Sequence, residues 1–320
     1  MDDKDRKLLN LVQKEFPVVE RPFQVLAQKL GVREEEVLLR LERLSRKGIL
    51  RQIGGIFNPQ ALGYRTTLAA LEVPEYRLSR AVEVINSHPG VSHNYLRDHR
   101  LNLWFTLAVP PGKILEEEAD RLARAAGAQR LLLLPIRRIF RIAVVFDLEE
   151  GVAGDRSTPP SFEKMIPGPR TIRLVRATQE PLPLLPRPFS VTARQAGTSE
   201  EDLLLWIREM LEKGVMRRFA GLVRHHRVGF RENIMVAWRV PEKRLTEVGQ
   251  ALASEQGITH CYERVSYPDW PYNLYTMLHL QKEPEKYLKE LAERYVLRDY
   301  LPLRTLRELK KVRLKLFIEA

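Results

Sequence analysis

Apolar residues recur at helical spacing from the start of the chain. Leu8, Leu9, Leu11 and Val12 predict one amphipathic helix, and Phe23, Leu26, Ala27 and Leu30 predict a second. Gly31 makes a tight turn into a third helix, carried by Val37, Leu38, Leu41 and Leu44 and ended by Gly48. Three short helices with a glycine turn before the last describe a helix-turn-helix module. Past Gly48 the pattern changes. Thr67 to Val73 reads as a strand, Leu78, Ala81, Val82 and Ile85 as a helix, and Val91 to Arg97 with Asn102 to Val109 as a hairpin pair. Glu116 to Ala126 is a further helix, and Leu131 to Phe146 supplies the last strand or strands. This is the ferredoxin-like βαββαβ order, with helices covering one face of a sheet and the other face open. Leu103, Phe105, Leu107 and Val109 should lie under the helices, while Asn102 and Trp104 face the open side.

The whole pattern occurs twice. Pro22-Phe23 returns as Pro188-Phe189, Gly31 as Gly197, and Gly48-Ile49-Leu50-Arg51 as Gly214-Val215-Met216-Arg217. Val73-Pro74-Glu75 returns as Val240-Pro241-Glu242, and Leu134-Pro135-Ile136-Arg137 as Leu301-Pro302-Leu303-Arg304. Asn273, Tyr275, Met277 and His279 form the second copy's open-face set. A Gly- and Pro-rich stretch separates the copies. The predicted fold is α+β: a tandem duplication of a winged helix-turn-helix module plus a ferredoxin-like domain, forming an intrachain pseudo-dimer. The predicted segments are 1–53 and 54–148 for the first copy, a linker over 149–170, then 171–219 and 220–320 for the second.

Composition narrows the partner rather than the fold. The 320 residues carry a net charge of +12, and the isoelectric point near 9.8 points to an anionic ligand, nucleic acid or a small polycarboxylate. The single cysteine, Cys261, excludes an intrachain disulfide and a Cys-rich metal site. The absence of a long apolar run and of a signal-like start predicts a cytoplasmic protein.

One phrase stands out within the repeat. His93-Asn94-Tyr95-Leu96-Arg97 returns as His260-Cys261-Tyr262-Glu263-Arg264, each after a glycine, an aliphatic residue and a Ser or Thr. Spacing of two on a strand places His, Tyr and Arg on one face. A proton donor, a phenol and a cation side by side suit an anionic ligand. Cys261, between two residues of that face, should pack on the other.

A helix-turn-helix joined to a ferredoxin-like domain resembles the leucine-responsive, feast/famine transcription regulators. The start of the third helix opposes that function. Arg33-Glu34-Glu35-Glu36 and Thr198-Ser199-Glu200-Glu201-Asp202 present carboxylates where a duplex offers phosphates, and Trp206 and Ile207 read as packing residues.

Longer strings carry a closer resemblance. His88 through Arg97 with Asn102-Leu103-Trp104-Phe105-Thr106-Leu107 is similar to the first subunit of sirohaem decarboxylases. Arg217-Arg218-Phe219 through His225-His226, with His260-Cys261-Tyr262, Tyr267 through Asn273 and Thr276 through His279, is similar to the second subunit. The resemblance implies removal of carboxyl groups from two acetate side chains of sirohaem, giving didecarboxysirohaem for haem d1 or the alternative haem route. It implies no cofactor beyond the iron tetrapyrrole, and an intrachain pseudo-dimer that a further homo-oligomer would extend. His93 with Tyr95, and His260 with Tyr262, are then the candidates for proton delivery. Arg51, Arg97, Arg137, Arg217, Arg218, Arg264 and Arg304 are candidates for carboxylate binding. Trp104, Tyr267 and Trp270, with the tyrosines, are candidates to pack on the ring, and His279 to form a pocket wall. His225 or His226 is either part of a basic surface loop or, by the resemblance, an axial ligand of the substrate iron. The expected binding place is between the two sheets. A ligand-responsive regulator and a non-catalytic tetrapyrrole carrier or sensor are the alternatives, and the sequence assigns the working site to neither half.

Overall fold

The computed structural model describes residues 1–14, 16–142, 145–146, 153–154, 161–223, 232–280 and 284–318. Helices α1 (Asp3–Lys14), α2 (Pro22–Leu30) and α3 (Glu34–Arg46) form the first helical module. Gly31 ends α2 with φ 63°, a left-handed conformation that glycine adopts without penalty, and its N–H returns to the last carbonyls of the helix. Strand β1 (Leu50–Phe57) follows, then β2 (Arg65–Glu72), α4 (Leu78–Ser87), β3 (Val91–Arg97), β4 (Leu103–Val109), α5 (Leu115–Ala126), β5 (Arg130–Leu134) and β6 (Ile136–Ile142). Two-residue strands β7 (Val145–Phe146) and β8 (Ala153–Gly154) pair with each other. The second copy repeats the order with α6 (Pro169–Gln179), α7 (Pro188–Ala196), α8 (Glu200–Glu212), β9 (Met216–Val223), β10 (Glu232–Trp238), α9 (Leu245–Ser254), β11 (Ile258–Arg264), β12 (Leu274–Leu280), α10 (Pro284–Arg294) and β13 (Tyr300–Lys311).

The two helical modules share one core rather than standing apart. Leu8, Phe23 and Leu41 of the first join Phe189, Leu203 and Ile207 of the second in a single buried cluster. Phe219 touches both sides, with its ring 5.8 Å from Phe16 and 5.3 Å from Phe189. Trp206 and Ile207 are buried in this cluster, as packing residues should be. Strands β1 and β9 pair antiparallel beneath it as a two-stranded ribbon. The expected module boundaries at 53 and 219 fall inside these two strands.

The ferredoxin-like units do not merely face each other; they exchange strands. The main sheet runs β5-β2-β4-β3-β13-β10-β12-β11-β6. Only Pro135 separates β5 from β6, so the order returns to the strand on which it began. Strand β13 serves both halves: Tyr300 to Arg304 pairs with β10, and Thr305 to Lys311 with β3. Strand β6 likewise leaves its own half to pair with β11.

Helices cover the outside as the alternation predicts. Leu103, Phe105, Leu107 and Val109 pack beneath α4 and α5, and Cys261 lies fully buried in the equivalent core of the second half. The inner faces are filled. Ala70, Trp104, Leu132 and Leu134 from one half meet Met235, Ala237, Trp270, Tyr275 and Leu303 from the other in one apolar layer. This corrects the expectation of a ligand gap between the sheets at that level: large buried side chains occupy it.

Candidate functional site

Strand pairing puts the repeated phrase on the inner face. Tyr95 stands opposite Trp104, which belongs to the inner layer, whereas Asn94 stands opposite Phe105, which packs under the helices. A register shift between Val91 and Asn94 accommodates Ser92 and His93. His93 then stacks on Tyr95 with ring centroids 6.3 Å apart, and the Arg97 guanidinium lies over the Tyr95 ring at 5.3 Å. The second copy builds the same ladder. His260 and Tyr262 are 5.9 Å apart, and Arg264 lies 5.2 Å over Tyr262.

Each histidine is oriented by the hydroxyl before it. Ser92 Oγ is 2.9 Å from His93 Nδ1, and Thr259 Oγ1 is 2.9 Å from His260 Nδ1. In the first ladder the bonds form a closed loop. The His93 N–H donates to Thr106 Oγ1 at 3.2 Å, and Thr106 Oγ1 lies 3.0 Å from Ser92 Oγ. With each hydroxyl donating onward, Nδ1 accepts and the neutral imidazole carries its proton on Nε2. Neither Ser92 nor Thr106 was among the expected site residues, although the Ser or Thr before each histidine was visible in the repeat.

Burial shifts the titration of both ladders. His93 and Tyr95 are half-buried, so water reaches them, yet burial dominates their titration. It pushes His93 down to about 4, aided by Lys311 and Arg51 and opposed by Glu308. Burial and Glu308 push the Tyr95 hydroxyl up to about 12, against Arg97. Tyr262 is likewise pushed up to about 12 by burial, with Arg264 and Arg217 opposing. Two of the charges that act on these groups come from the ribbon: Arg51 of β1 acts on His93 and Arg217 of β9 on Tyr262. Arg217 keeps contact with solvent but is crowded enough for desolvation to lower its guanidinium, and its Nη2 donates to Asn58 Oδ1 at 3.4 Å. The ribbon therefore carries one cation near each ladder.

Several expected ligand contacts lie elsewhere. Arg97 and Arg264 are buried and committed to backbone: Arg97 Nη1 donates to Leu303 O at 2.7 Å, and Arg264 Nη1 to Leu134 O at 2.6 Å. Their guanidinium groups lie over the tyrosine rings. Trp104 and Trp270 are core residues of the inner layer, their indole N–H groups donating to Leu101 O and the Tyr275 hydroxyl, both at 2.6 Å. Tyr267 donates to Leu133 O at 2.7 Å and lines a cavity with Gln60, Arg65 and Glu116. Arg304 stands opposite Ile234, which packs under the helices, and pairs with Glu285 on α10, so it faces outward. Arg137 is exposed at the start of β6, and Arg218 is half-buried on β9 opposite Ile56. His225 and His226 lie outside the described residues. His279 pairs with Asn233 through the strand backbone, but its side chain lies outside them too.

Asn102 and Asn273, expected on the open face, close the strand ends. Each bonds both the N–H and the C=O of a valine, Val73 and Val240, at 3.0 and 2.8 Å. Among the described residues no helix is long and apolar enough to cross a membrane.

Known proteins share this architecture throughout. The AsnC-like ligand binding domain matches residues 61–141 and 227–310, and the siroheme decarboxylase NirDL-like HTH domain matches residues 5–51 and 172–217. The siroheme decarboxylase of Hydrogenobacter thermophilus is 38% identical over 316 residues, covering 98% of this chain and 95% of that protein. The crystal structure of the siroheme decarboxylase NirDL superposes with a TM-score of 0.81 at 34% identity, covering 99% of this chain and 95% of that one. The same enzyme in co-complex with an iron-uroporphyrin III analogue gives a TM-score of 0.80 at 34% identity, over 98% and 94% of the two chains. The chain belongs to the sirohaem decarboxylase family, in the form that carries both halves on one polypeptide.

Proposed function

We propose that this protein removes the carboxyl groups of two acetate side chains of sirohaem, and that a His–Tyr ladder supplies the proton for each. The observation that carries the reading is the ladder itself: an oriented imidazole stacked on a half-buried phenol, with cations near enough to act on both. Sirohaem is a flat apolar ring edged with eight carboxylates. Cations near the ladders, Arg51 acting on His93 and Arg217 on Tyr262, suit that edge.

Loss of CO2 leaves an electron pair on the side-chain methylene, which the conjugated macrocycle delocalises. The reaction then needs no cofactor besides the iron tetrapyrrole that is its substrate. One proton must reach the carbon for each CO2 released. Free His93 is neutral at pH 7, because its pKa lies near 4. A polyanion arriving beside it favours the imidazolium, so substrate binding itself charges the acid. Tyr95, stacked beneath, is protonated throughout the physiological range.

Carrier and regulator readings are less well supported. At the starts of α3 and α8, Glu34 and Glu200 are held by Arg21 and Arg187, and Glu35, Glu36, Glu201 and Asp202 add negative charge where a phosphate backbone would have to approach. Anaerobic incubation with sirohaem, followed by the mass of the recovered tetrapyrrole, separates the three. Loss of two CO2 supports the enzyme. Recovery of bound but unchanged sirohaem supports the carrier, and salt-sensitive binding to one DNA sequence without turnover supports the regulator.

A further inference from the structure

Both ladders carry the same irregularity where the histidine begins. The register of β3 against β4 shifts between Val91 and Asn94, and that of β11 against β12 shifts between Ile258 and His260. Each shift sets two residues of one strand against one of the other. Ser92 and His93 both bond Thr106, while Thr259 bonds Met277 and His260 stands opposite it. Val91 pairs with Leu107 and Ile258 with Leu278, so Thr106 and Met277 hold the same place in the repeat. They differ in chemistry and agree in effect. Thr106 presents its side-chain Oγ1, 3.0 Å from Ser92 Oγ, whereas Met277 presents its backbone oxygen, to which Thr259 Oγ1 donates at 3.4 Å. Each hydroxyl thus has an acceptor besides the imidazole.

That second acceptor matters because the imidazole reverses its demand. Proton delivery breaks the Nε2–H bond of an imidazolium and forms a C–H bond with the electron pair that CO2 leaves. The neutral ring then takes a proton back from water. Nδ1 accepts a hydrogen bond in the neutral ring and donates one in the imidazolium. In the neutral form Thr106 donates to Ser92, and Ser92 to His93 Nδ1 at 2.9 Å. In the imidazolium the same two bonds run backwards. Nδ1–H donates to Ser92, and Ser92 to Thr106 Oγ1, which has a second lone pair for the His93 N–H at 3.2 Å. Only two hydroxyl hydrogens rotate. Thr106 is half-buried, so its own hydrogen can turn to solvent, while Ser92 is buried and depends on Thr106. We propose that Ser92 and Thr106 are positioning residues for proton delivery, a reversible hydroxyl pair that keeps His93 Nδ1 bonded in both forms of the ring and leaves Nε2 to exchange the proton. This role deepens the decarboxylase reading above and rests on it.

Two measurements on the full chain test it. Each variant leaves in place the charges that act on His93, Lys311 and Glu308 of β13 and Arg51 of β1. Nitrogen-15 NMR of labelled histidines at pH 7, with the His93 signals assigned by their loss in His93→Gln, reads the tautomer. The unaltered chain and Ser92→Thr, which carries the residue of the second copy, should show the Nε2–H form, and Ser92→Ala a mixture of both. Anaerobic turnover of sirohaem reads the function. The isosteric Thr106→Val should slow at least one of the two CO2 losses about tenfold with KM within about twofold, and Thr106→Ser should restore the rate. An unchanged tautomer in Ser92→Ala would overturn the role. So would both CO2 losses at the unaltered rate in Thr106→Val, or a Thr106→Ser variant as slow as Thr106→Val. An unaltered chain that releases no CO2 would remove the proposed function, and this role with it, whatever the tautomer.

Discussion

Arg97 holds Tyr95 from above while reaching across to the other half of the chain: its guanidinium lies 5.3 Å from the ring centroid, and its Nη1 donates to Leu303 O at 2.7 Å and Thr305 Oγ1 at 3.2 Å. One cation therefore ties the ladder to the exchanged strand. Arg97→Met should cost about 1–3 kcal/mol, because Leu303 O loses a charged donor while the unpaired Arg97 Nε is also removed. Urea unfolding of the variant measures this. Turnover per folded molecule should fall as well, since Tyr95 loses the platform that fixes its ring.

Protonation of His93 couples stability to pH. A histidine whose folded pKa is about 4, against about 6.5 unfolded, binds its proton more readily in the unfolded chain. Stability is thus retained above pH 6.5 and lost as the pH falls toward 4, by an upper bound of about 3 kcal/mol from this group. His93→Gln should flatten that part of the curve in denaturation between pH 7 and pH 4.5. The same linkage predicts that iron-uroporphyrin III takes up protons on binding at pH 6, and that His93→Gln reduces the uptake measured in weakly buffered solution.

Much of this was legible in the chain. Periodicity marked the helices and strands, and the repeat exposed both ladders, because local spacing and alternation fix which residues share a face. Strand exchange was not legible. Nothing in the pattern around Leu303 to Lys311 says that its second half pairs with β3 of the other copy, so Glu308 and Lys311 were missed as neighbours of Tyr95 and His93. Trp104 and Arg97 stand on the inner face that alternation predicts, but both are buried there. Alternation tells which way a side chain points, not whether a second sheet has already filled the space. Arg304 failed for a related reason, since its strand runs past Pro302 with the side chain turned toward α10.

Trp104 belongs to the inner layer. Trp104→Ala should destabilise by about 3–5 kcal/mol, as large-to-small changes in a filled core do. The milder Trp104→Phe should lower the midpoint of unfolding yet leave the iron-uroporphyrin III dissociation constant within twofold. A large loss of affinity in Trp104→Phe would place the ligand deeper than the ladder geometry does.

Gly221 sets how closely the ribbon meets the helical layer. A Cβ there would lie 2.3 Å from Val12 Cγ1, a buried and stiff β-branched side chain. Gly221→Val should therefore cost at least about 1–3 kcal/mol by overpacking, measured as a fall in thermal midpoint. Because the ribbon carries Arg51 and Arg217, tetrapyrrole affinity should fall with it.

Decarboxylation with proton delivery at the ladder is tested most directly in D2O. The full chain is incubated anaerobically with sirohaem and the tetrapyrrole is analysed by mass spectrometry over time. The account predicts loss of two CO2 with one deuteron gained at each former acetate, slowed about 10²–10⁴-fold in His93→Ala. Sirohaem recovered with its mass unchanged, or lost CO2 at the same rate in His93→Ala, would contradict it.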